Sequence, residues 1–291
     1  LNQCKSHVRK VIGAKVTKGR GAGGDPYTGK RCAEEDEEAI RSKLSDGDIV
    51  FVIAGMGGGT GTGSAPVIAK YAKETDAVVV GVAILPFKEE GLPRRKIALE
   101  GLVELKRNCD CVIELDNEKL NELTDGDYPI QKAFGVMSDL VSGIVQSLSE
   151  VVTEPSMINV DFADLRKIIE AGGTAKVLYG ESDGSDPGSV LDSVLGNPLL
   201  GNKYKGAEAV LLHIAAGNEF AMSDCHEVLS ALKYDLAEDA NLIWGLRTDD
   251  SMSTNVKVVM LVSAIPDSEH DLNTEAEEEL NSLGSSVPMI N

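Results

Sequence analysis

The chain has 291 residues, room for about two domains with a substantial core. Asp and Glu outnumber Lys and Arg by 47 to 28, and a net charge of −19 without a basic patch of useful size argues against partners such as nucleic acid or anionic membranes. Five scattered cysteines point to a reducing compartment, and four dispersed histidines (His7, His213, His226, His270) form no metal-ligand cluster. With no apolar run of membrane-spanning length and no signal peptide, a cytoplasmic protein without direct membrane insertion is the simplest expectation.

Gly19-Arg20-Gly21-Ala22-Gly23-Gly24 has the spacing G-x-G-x-x-G, but no convincing strand enters it and Asp25-Pro26 follows. It therefore reads as an open loop and not as a dinucleotide fingerprint. Lys30 to Ser45 has the pattern of a helix with glutamates on its solvent face. Asp48 to Ala54, a β-branched run bounded by Gly47 and Gly55, reads as a buried strand. It runs into Gly57-Gly58-Gly59-Thr60-Gly61-Thr62-Gly63 and then into a helix, Ser64 to Lys73, with Pro66 in its opening turn. A strand that enters bare backbone and then a helix N-terminus suits an anion, because unpaired N–H groups and the positive dipole end meet there. Glycine lets the backbone approach a phosphate closely, and Thr60 and Thr62 add hydroxyl donors. A Walker loop is excluded, since Ser64 follows Gly63 with no lysine. Asp76 to Leu85 reads as another buried strand, giving a βαβ unit and a parallel sheet. Ligands sit at the C-terminal ends of such strands, which puts Gly57–Gly63 and the segment after Leu85 on one rim.

That segment, Pro86 to Arg95, holds Glu90 and Arg94 at the spacing of an i,i+4 salt bridge on a helix start. Helix Arg95–Arg107 and strand Cys111–Leu115 follow, with Cys109 and Cys111 pointing to opposite faces. Asn117, in Asp116-Asn117-Glu118-Lys119-Leu120, is placed to act as a helix cap. Pro129 opens a helical pattern of Ile130, Phe134, Met137, Val141, Ile144, Val145, Leu148 and Val152, which Pro155 ends. About 24 residues at 1.5 Å each make a rod of roughly 36 Å, enough to cross a domain. Phe134 reads as core, whereas Asp139 interrupts the apolar run.

Beyond the rod, in Asn159-Val160-Asp161-Phe162-Ala163-Asp164-Leu165, Asp161 is placed to cap a new helix with Asp164 near N3. Phe162, Leu165, Ile168 and Ile169 would form that helix's apolar face. The remainder reads as a second α/β domain, with strands at Ala175–Tyr179, Ala207–Ala215, Asn241–Arg247 and Asn255–Ser263 and helices near Gly188–Leu195 and Ser223–Leu236. The sole tryptophan, Trp244, reads as core. After Ile265-Pro266 comes an acidic tail with a possible capping box at Thr274–Glu277 and a small apolar ending, Val287-Pro288-Met289-Ile290.

The glycine heptad followed by Ser64-Ala65-Pro66 resembles the signature of the tubulin/FtsZ superfamily of GTPases, and Asn159 to Asp164 resembles the FtsZ catalytic loop more than that of tubulin. The resemblance covers roughly Leu1 to Ile265, with archaeal-type FtsZ as the subgroup. It implies an α/β fold: a parallel-sheet GTPase domain over 1–128, a central helix over 129–154, a smaller α/β domain over 155–266 that completes GTP hydrolysis, and a tail over 267–291. It implies GTP and GDP as nucleotides with Mg²⁺. Gly57, Gly58, Gly59, Thr60, Gly61, Thr62, Gly63, Ala22 and Gly23 would lie at the phosphates, Glu90 on the ribose and Arg94 near the phosphates. Asn117 would lie near sugar and base, with Phe134 on the guanine and Asp139 on its edge, although Asp116 replaces the family's usual proline. Asn159, Asp161 and Asp164 would be catalytic. Asp139 and the acidic loop stand roughly 20 Å apart along a helix, so two molecules stacked head to tail would bring them to one phosphate, in a contact that propagates a filament. The family's tail often binds membrane adaptors. The alternatives are a non-hydrolysing switch or a monomeric relative that caps filaments. Members of the family begin with a strand and an earlier glycine-rich loop that this chain lacks, so the isolated chain is expected to bind GTP weakly.

Overall fold

The computed structural model describes residues 6–45, 47–120, 129–171, 175–183, 186–197, 204–264 and 282. The acidic tail, with its expected capping box and apolar ending, lies outside the described residues. The chain divides into two compact units that meet in sequence between Cys109 and Asp110.

The first unit opens with a short helix α1 (Ala14–Thr17), then α2 (Pro26–Glu35) and α3 (Glu37–Leu44). One helix over Lys30–Ser45 is the sequence expectation; the structure breaks it at Asp36. The Asp36 carboxylate accepts from the Gly13 N–H at 2.7 Å and pairs with Lys10 at 2.9 Å, tying the break to the loop before α1. The helix also begins earlier than its pattern shows, because Asp25 caps it through the N–H groups of Tyr27 and Thr28 and Pro26 takes the first position.

Strand β1 (Ile49–Gly55) pairs in parallel with β2 (Val78–Leu85), from Ile49 opposite Val78 to Gly55 opposite Ile84, across helix α4 (Gly59–Lys73). This is the predicted βαβ unit. Unlike β2, β1 is not buried on both faces: Val52 and Ala54 are buried while Ile53 is 47% exposed. Ala54 faces Gly61 of α4, so the helix covers that side alone. Helix α4 starts at Gly59 and not at Ser64, which puts three glycines inside it and Pro66 in its interior. There the missing proline N–H leaves the Thr62 carbonyl without its intrahelical donor. A 3₁₀ turn (Lys88–Glu90) and helix α5 (Leu92–Asn108) complete the unit, with Ala98, Leu99, Leu102 and Leu105 buried.

The second unit starts with β3 (Cys111–Asp116), a 3₁₀ turn (Asn117–Lys119) and helix α6 (Ile130–Thr153), the predicted rod. Its buried stripe is Met137, Leu140, Ile144, Leu148 and Val151. Phe134, expected in the core, is instead 45% exposed. Helix α7 (Phe162–Glu170) leads to a four-stranded mixed sheet of β4 (Lys176–Asp183), β5 (Ala209–Ala216), β6 (Asn241–Thr248) and β7 (Asn255–Ser263), in the order β4-β7-β5-β6. β5 and β6 are parallel; β7 runs antiparallel to both β4 and β5. Helices α8 (Pro187–Leu195) and α9 (Met222–Asp235) build the main core, where Val190, Val194, Val228 and Leu232 meet Leu178, Leu212, Met260 and Val262. Trp244 packs partly buried against this cluster. The register places Tyr179, Val259, His213 and Gly245 in one row across the sheet, and Glu181, Lys257, Ala215 and Arg247 two residues along, in the next row of the same face. Gly143 of α6 sits against the Tyr179 ring, and Glu150 of α6 pairs with Arg247, so α6 packs on this partly polar side.

Candidate active site

In the first unit the glycine loop is closed by its own residues. The Gly57 N–H donates to Thr62 Oγ1 at 2.9 Å, and Thr62 is buried with its methyl against Gly101 of α5. Thr62 is thus the brace of the loop, and Thr60, which is exposed, is the hydroxyl that faces outward. The glycines divide in the same way. A side chain on Gly59 would lie 2.7 Å from the Asp25 nitrogen and 2.8 Å from Ala22 Cβ, and one on Gly63 would meet the Pro26 carbonyl and, at 2.7 Å, the Lys30 nitrogen. These two glycines let α2 press backbone to backbone on α4. Gly58, by contrast, caps α4 in extended conformation with nothing within 4 Å of where its side chain would be. The first-turn N–H groups of α4, from Gly58 to Gly61, have no intrahelical acceptor and carry the positive dipole end.

Around this helix start the structure gathers most of the first unit's predicted residues. Ala22 is buried against Gly59, while Gly23, at φ +61°, stands clear of neighbours. A cavity of about 370 Å³ is lined by both Ala22 and Thr60, together with Lys10, Thr17 and Gly21. Arg94 lies over Gly57, whose φ of +89° admits glycine readily; a side chain there would sit 2.8 Å from the Arg94 Cγ. Glu90 pairs with Arg94 at 3.0 Å and accepts from the Phe87 N–H at 3.0 Å, so the expected i,i+4 bridge exists at the rim of the loop. Two residues escaped the sequence reading. Asp25, whose cap hydrogen bonds from Thr28 and Tyr27 hold its carboxyl below the usual range, sets α2 against Gly59. Arg95 is 7% exposed and donates to the Pro86 carbonyl at 3.3 Å, fixing the turn after β2. An arginine beside an arginine gave no hint which one turns inward.

In the second unit, Asn117 is 7% exposed, and its buried side-chain oxygen has no hydrogen-bond partner among the described residues. Asp116 takes the cap role the sequence offered to Asn117, accepting from the Glu118 N–H at 3.0 Å. An orphaned buried acceptor costs about 1–3 kcal/mol, which makes Asn117 a residue with an unmet partner. Phe134, Ser138 and Asp139 lie on the exposed side of α6. At its other end the Asn159 side chain accepts from the Ser156 N–H at 2.8 Å. Asp161 accepts from the Asp164 N–H at 2.8 Å, and Asp164 accepts in return from the Asp161 N–H at 3.4 Å. This is the capping arrangement read from the sequence, and Lys167 adds an ion pair to Asp164 at 3.2 Å. Capping leaves Asp161 exposed and holds both carboxylates at the helix start. No group of three or more His, Cys, Asp and Glu side chains that could hold a metal converges among the described residues.

A parallel βαβ unit whose crossover helix begins in a glycine-rich, outward-facing N-terminus defines an α/β protein with an anion-binding loop of the nucleotide-binding kind. Residues 1–125 match the GTPase domain of the tubulin/FtsZ family, and residues 173–266 match the C-terminal domain of the FtsZ family. The cell division protein FtsZ 2 of Methanocaldococcus jannaschii is 39% identical over 276 residues, spanning 91% of this chain and 72% of that protein. The solved FtsZ dimer of M. jannaschii, in its empty form, superposes with a TM-score of 0.80 at 37% identity over 88% of this chain and 74% of that one. The GDP-bound CetZ1 monomer of Haloferax volcanii superposes at 0.73 with 25% identity over 92% and 82%. The chain belongs to the FtsZ family and is a GTPase.

Proposed function

We propose that this GTPase serves cell division by assembling head to tail, and that each contact completes an active site from two copies of the chain. The observation that carries this is the length of α6. Asp139 stands about 14 residues before the helix end, roughly 20 Å of rise, and the capped loop Asn159–Asp164 follows beyond it. A carboxylate pair held so far along the rod from Asp139 is out of reach of a nucleotide read there, and a second copy supplies one. The kinship with a solved FtsZ dimer supports self-association.

In this reading the N–H groups of Gly58 to Gly61 and the exposed Thr60 hydroxyl bind the phosphates, with Arg94 at the rim. Asn117 gives its orphaned oxygen to a donor on the nucleoside, and Phe134 and Asp139 face the guanine. Magnesium fits this donor set as a counter-ion carried on the phosphates, which suits an ion that dehydrates reluctantly. Asp161 and Asp164 of the neighbouring copy orient and polarise the attacking water, since positioning and electrostatics supply most of the rate in phosphoryl transfer. The acidic tail is proposed to bind a membrane adaptor.

The test is complementation. Asp164→Ala should bind GTP normally and release phosphate at least about 100-fold more slowly. Mixed with a Thr60→Arg variant that cannot bind nucleotide, it should recover part of the turnover, because each supplies the half the other lacks. Undiminished turnover by Asp164→Ala polymers would refute the shared site.

A further inference from the structure

Three consecutive residues of β6 hold both the end of α6 and the acidic loop. Ile158 and Leu246 exchange a pair of backbone hydrogen bonds, Ile158 N–H to Leu246 O at 3.2 Å and Leu246 N–H to Ile158 O at 3.1 Å, as an isolated antiparallel bridge. One residue earlier on the strand, Gly245 leaves the space that Val160 fills. A side chain on Gly245 would lie 2.8 Å from Val160 Cγ2, 3.0 Å from the Ile158 carbonyl oxygen and 3.0 Å from His213 Cδ2. One residue later, Arg247 pairs with Glu150 in the last turn of α6 at 2.9 Å and with Asp249 at 3.3 Å. The Arg247 and Glu150 side chains are 15% and 16% exposed.

We propose that Gly245, Leu246 and Arg247 form a joint that sets the acidic loop at a fixed place relative to α6, so that Gly245 and Arg247 are positioning residues for GTP hydrolysis. The inference rests on the reading of Asp161 and Asp164 as catalytic. Without the joint, the hydrogen bonds described for the chain between Thr153 and Asp161 are local ones, Glu154 N–H to the Glu150 carbonyl, the Ser156 hydroxyl to the Glu154 carbonyl and Ser156 N–H to Asn159, and none of them ties the loop to the sheet. With it, Val160, the residue before Asp161, is seated in a slot one residue wide. The joint is kept at a cost: the Arg247 Nε and the His213 Nε2 are both buried without partners among the described residues. A well-shielded ion pair is weak evidence for stability, and its best-attested use is to fix register. An arginine tied to the last turn of a rod and to the strand that grips the loop serves that use.

The experiment measures GTP turnover per polymerised subunit, GTP affinity, sedimentable polymer and thermal unfolding on the full chain. Gly245→Ala should push Val160 out of its slot and lower turnover by about 10- to 100-fold while GTP affinity stays within about 2-fold, as displacements of about 1 Å cost that much in a positioned reaction. The apolar pair Glu150→Met with Arg247→Met provides a second arm that leaves the crowded Gly245 position untouched. It should keep the fold and lower turnover at unchanged affinity, and the exchanged pair Glu150→Arg with Arg247→Glu should recover a good part of it. Wild-type turnover per subunit in the Met pair, with Asp164→Ala inactive, overturns the joint and leaves the catalytic loop standing. Full turnover in Asp164→Ala overturns both.

Discussion

Gly57–Gly63 in the first unit and Asn159–Asp164 in the second are both helix starts, and they are built in opposite ways. The glycine loop is shaped by missing side chains: Gly59 and Gly63 admit the backbone of α2, Gly57 admits Arg94, and only Gly58 and Thr60 are left facing outward. The acidic loop is shaped by side chains that are present. Asp161 and Asp164 hold each other's N–H groups, Asn159 holds Ser156, and Val160 fills the slot over Gly245. The first should therefore be set mainly by the space its glycines leave, and the second by the charges and hydrogen bonds of its side chains together with the seat of Val160. The lesson is that a ligand loop's glycines do not all serve the ligand.

The largest effect should come from adding one methyl group to the first loop. Gly63→Ala places a carbon against the Pro26 carbonyl and 2.7 Å from the Lys30 nitrogen, both backbone atoms, so α2 must move off α4. We expect a loss of about 3 kcal/mol or more in urea unfolding of the first unit. Gly58→Ala, with open space at the same site, should change stability by less than about 0.5 kcal/mol and act on GTP affinity instead. Equal destabilisation by the two would end the distinction between packing and ligand-facing glycines.

This division was hidden in the sequence. A heptad with five glycines resists any helix prediction, because glycine has poor intrinsic propensity; the close approach of α2, a tertiary fact, puts Gly59 at the first helical position. Asp25-Pro26 has the chemistry of a helix cap, but the glycines before it make the stretch read as a loop. The rod α6 was legible nearly to the residue, with proline at both ends and apolar spacings of three and four between. Even there, the buried stripe includes Leu140 and Val151, which the pattern omits, while Phe134 is exposed and Val141, Val145 and Val152 are only partly buried, because spacing alone does not fix which side of a helix its neighbours cover. The capping pair Asp161 and Asp164 was fully legible, being local in sequence. Arg247 with Glu150, ninety-seven positions apart, was not.

The second effect sharpens the contrast through pH. Burial, with the Arg247 charge beside it and partly opposed by Glu150, pushes the His213 pKa down from 6.5 to about 4. The folded form thus keeps His213 neutral where the unfolded chain takes up a proton, so stability is constant above about pH 6.5 and falls as the pH drops toward 4. The second unit should lose up to about 1.4 kcal/mol per pH unit in that window, near 3 kcal/mol in all. In the first unit the shifted carboxylates Asp25, Asp36 and Glu37 are all lowered, so their contribution is lost only in more acid solution, through their folded pKa values. His213→Phe should flatten the slope of the second unit; an unchanged slope would assign its acid sensitivity to other groups.

A smaller change separates capping from catalysis in the acidic loop. Asp161→Ser keeps an oxygen that can accept from the Asp164 N–H, and serine caps about as well as aspartate, so stability should hold within about 0.5 kcal/mol. The carboxylate is lost, and turnover in polymers should fall about 10-fold or more. Retained turnover would make Asp161 a cap alone and leave Asp164 as the only carboxylate of the site.

The smallest expected effect belongs to Lys167. Its ammonium lies 3.2 Å from the Asp164 carboxylate, but the side chain is 66% exposed, and exposed pairs contribute about 0–1 kcal/mol. Lys167→Ala should therefore shift the unfolding midpoint barely, while freeing an Asp164 oxygen for the water of a neighbouring site. Turnover should rise by no more than about 3-fold, and only at low ionic strength. Salt screens such a pair over roughly 10 Å at 0.1 M, so wild type and variant should converge as salt is added. If Lys167→Ala instead lowered turnover at every salt concentration, the lysine would be holding Asp164 in its working position, and the second loop would owe its shape to a pair outside the capping arrangement.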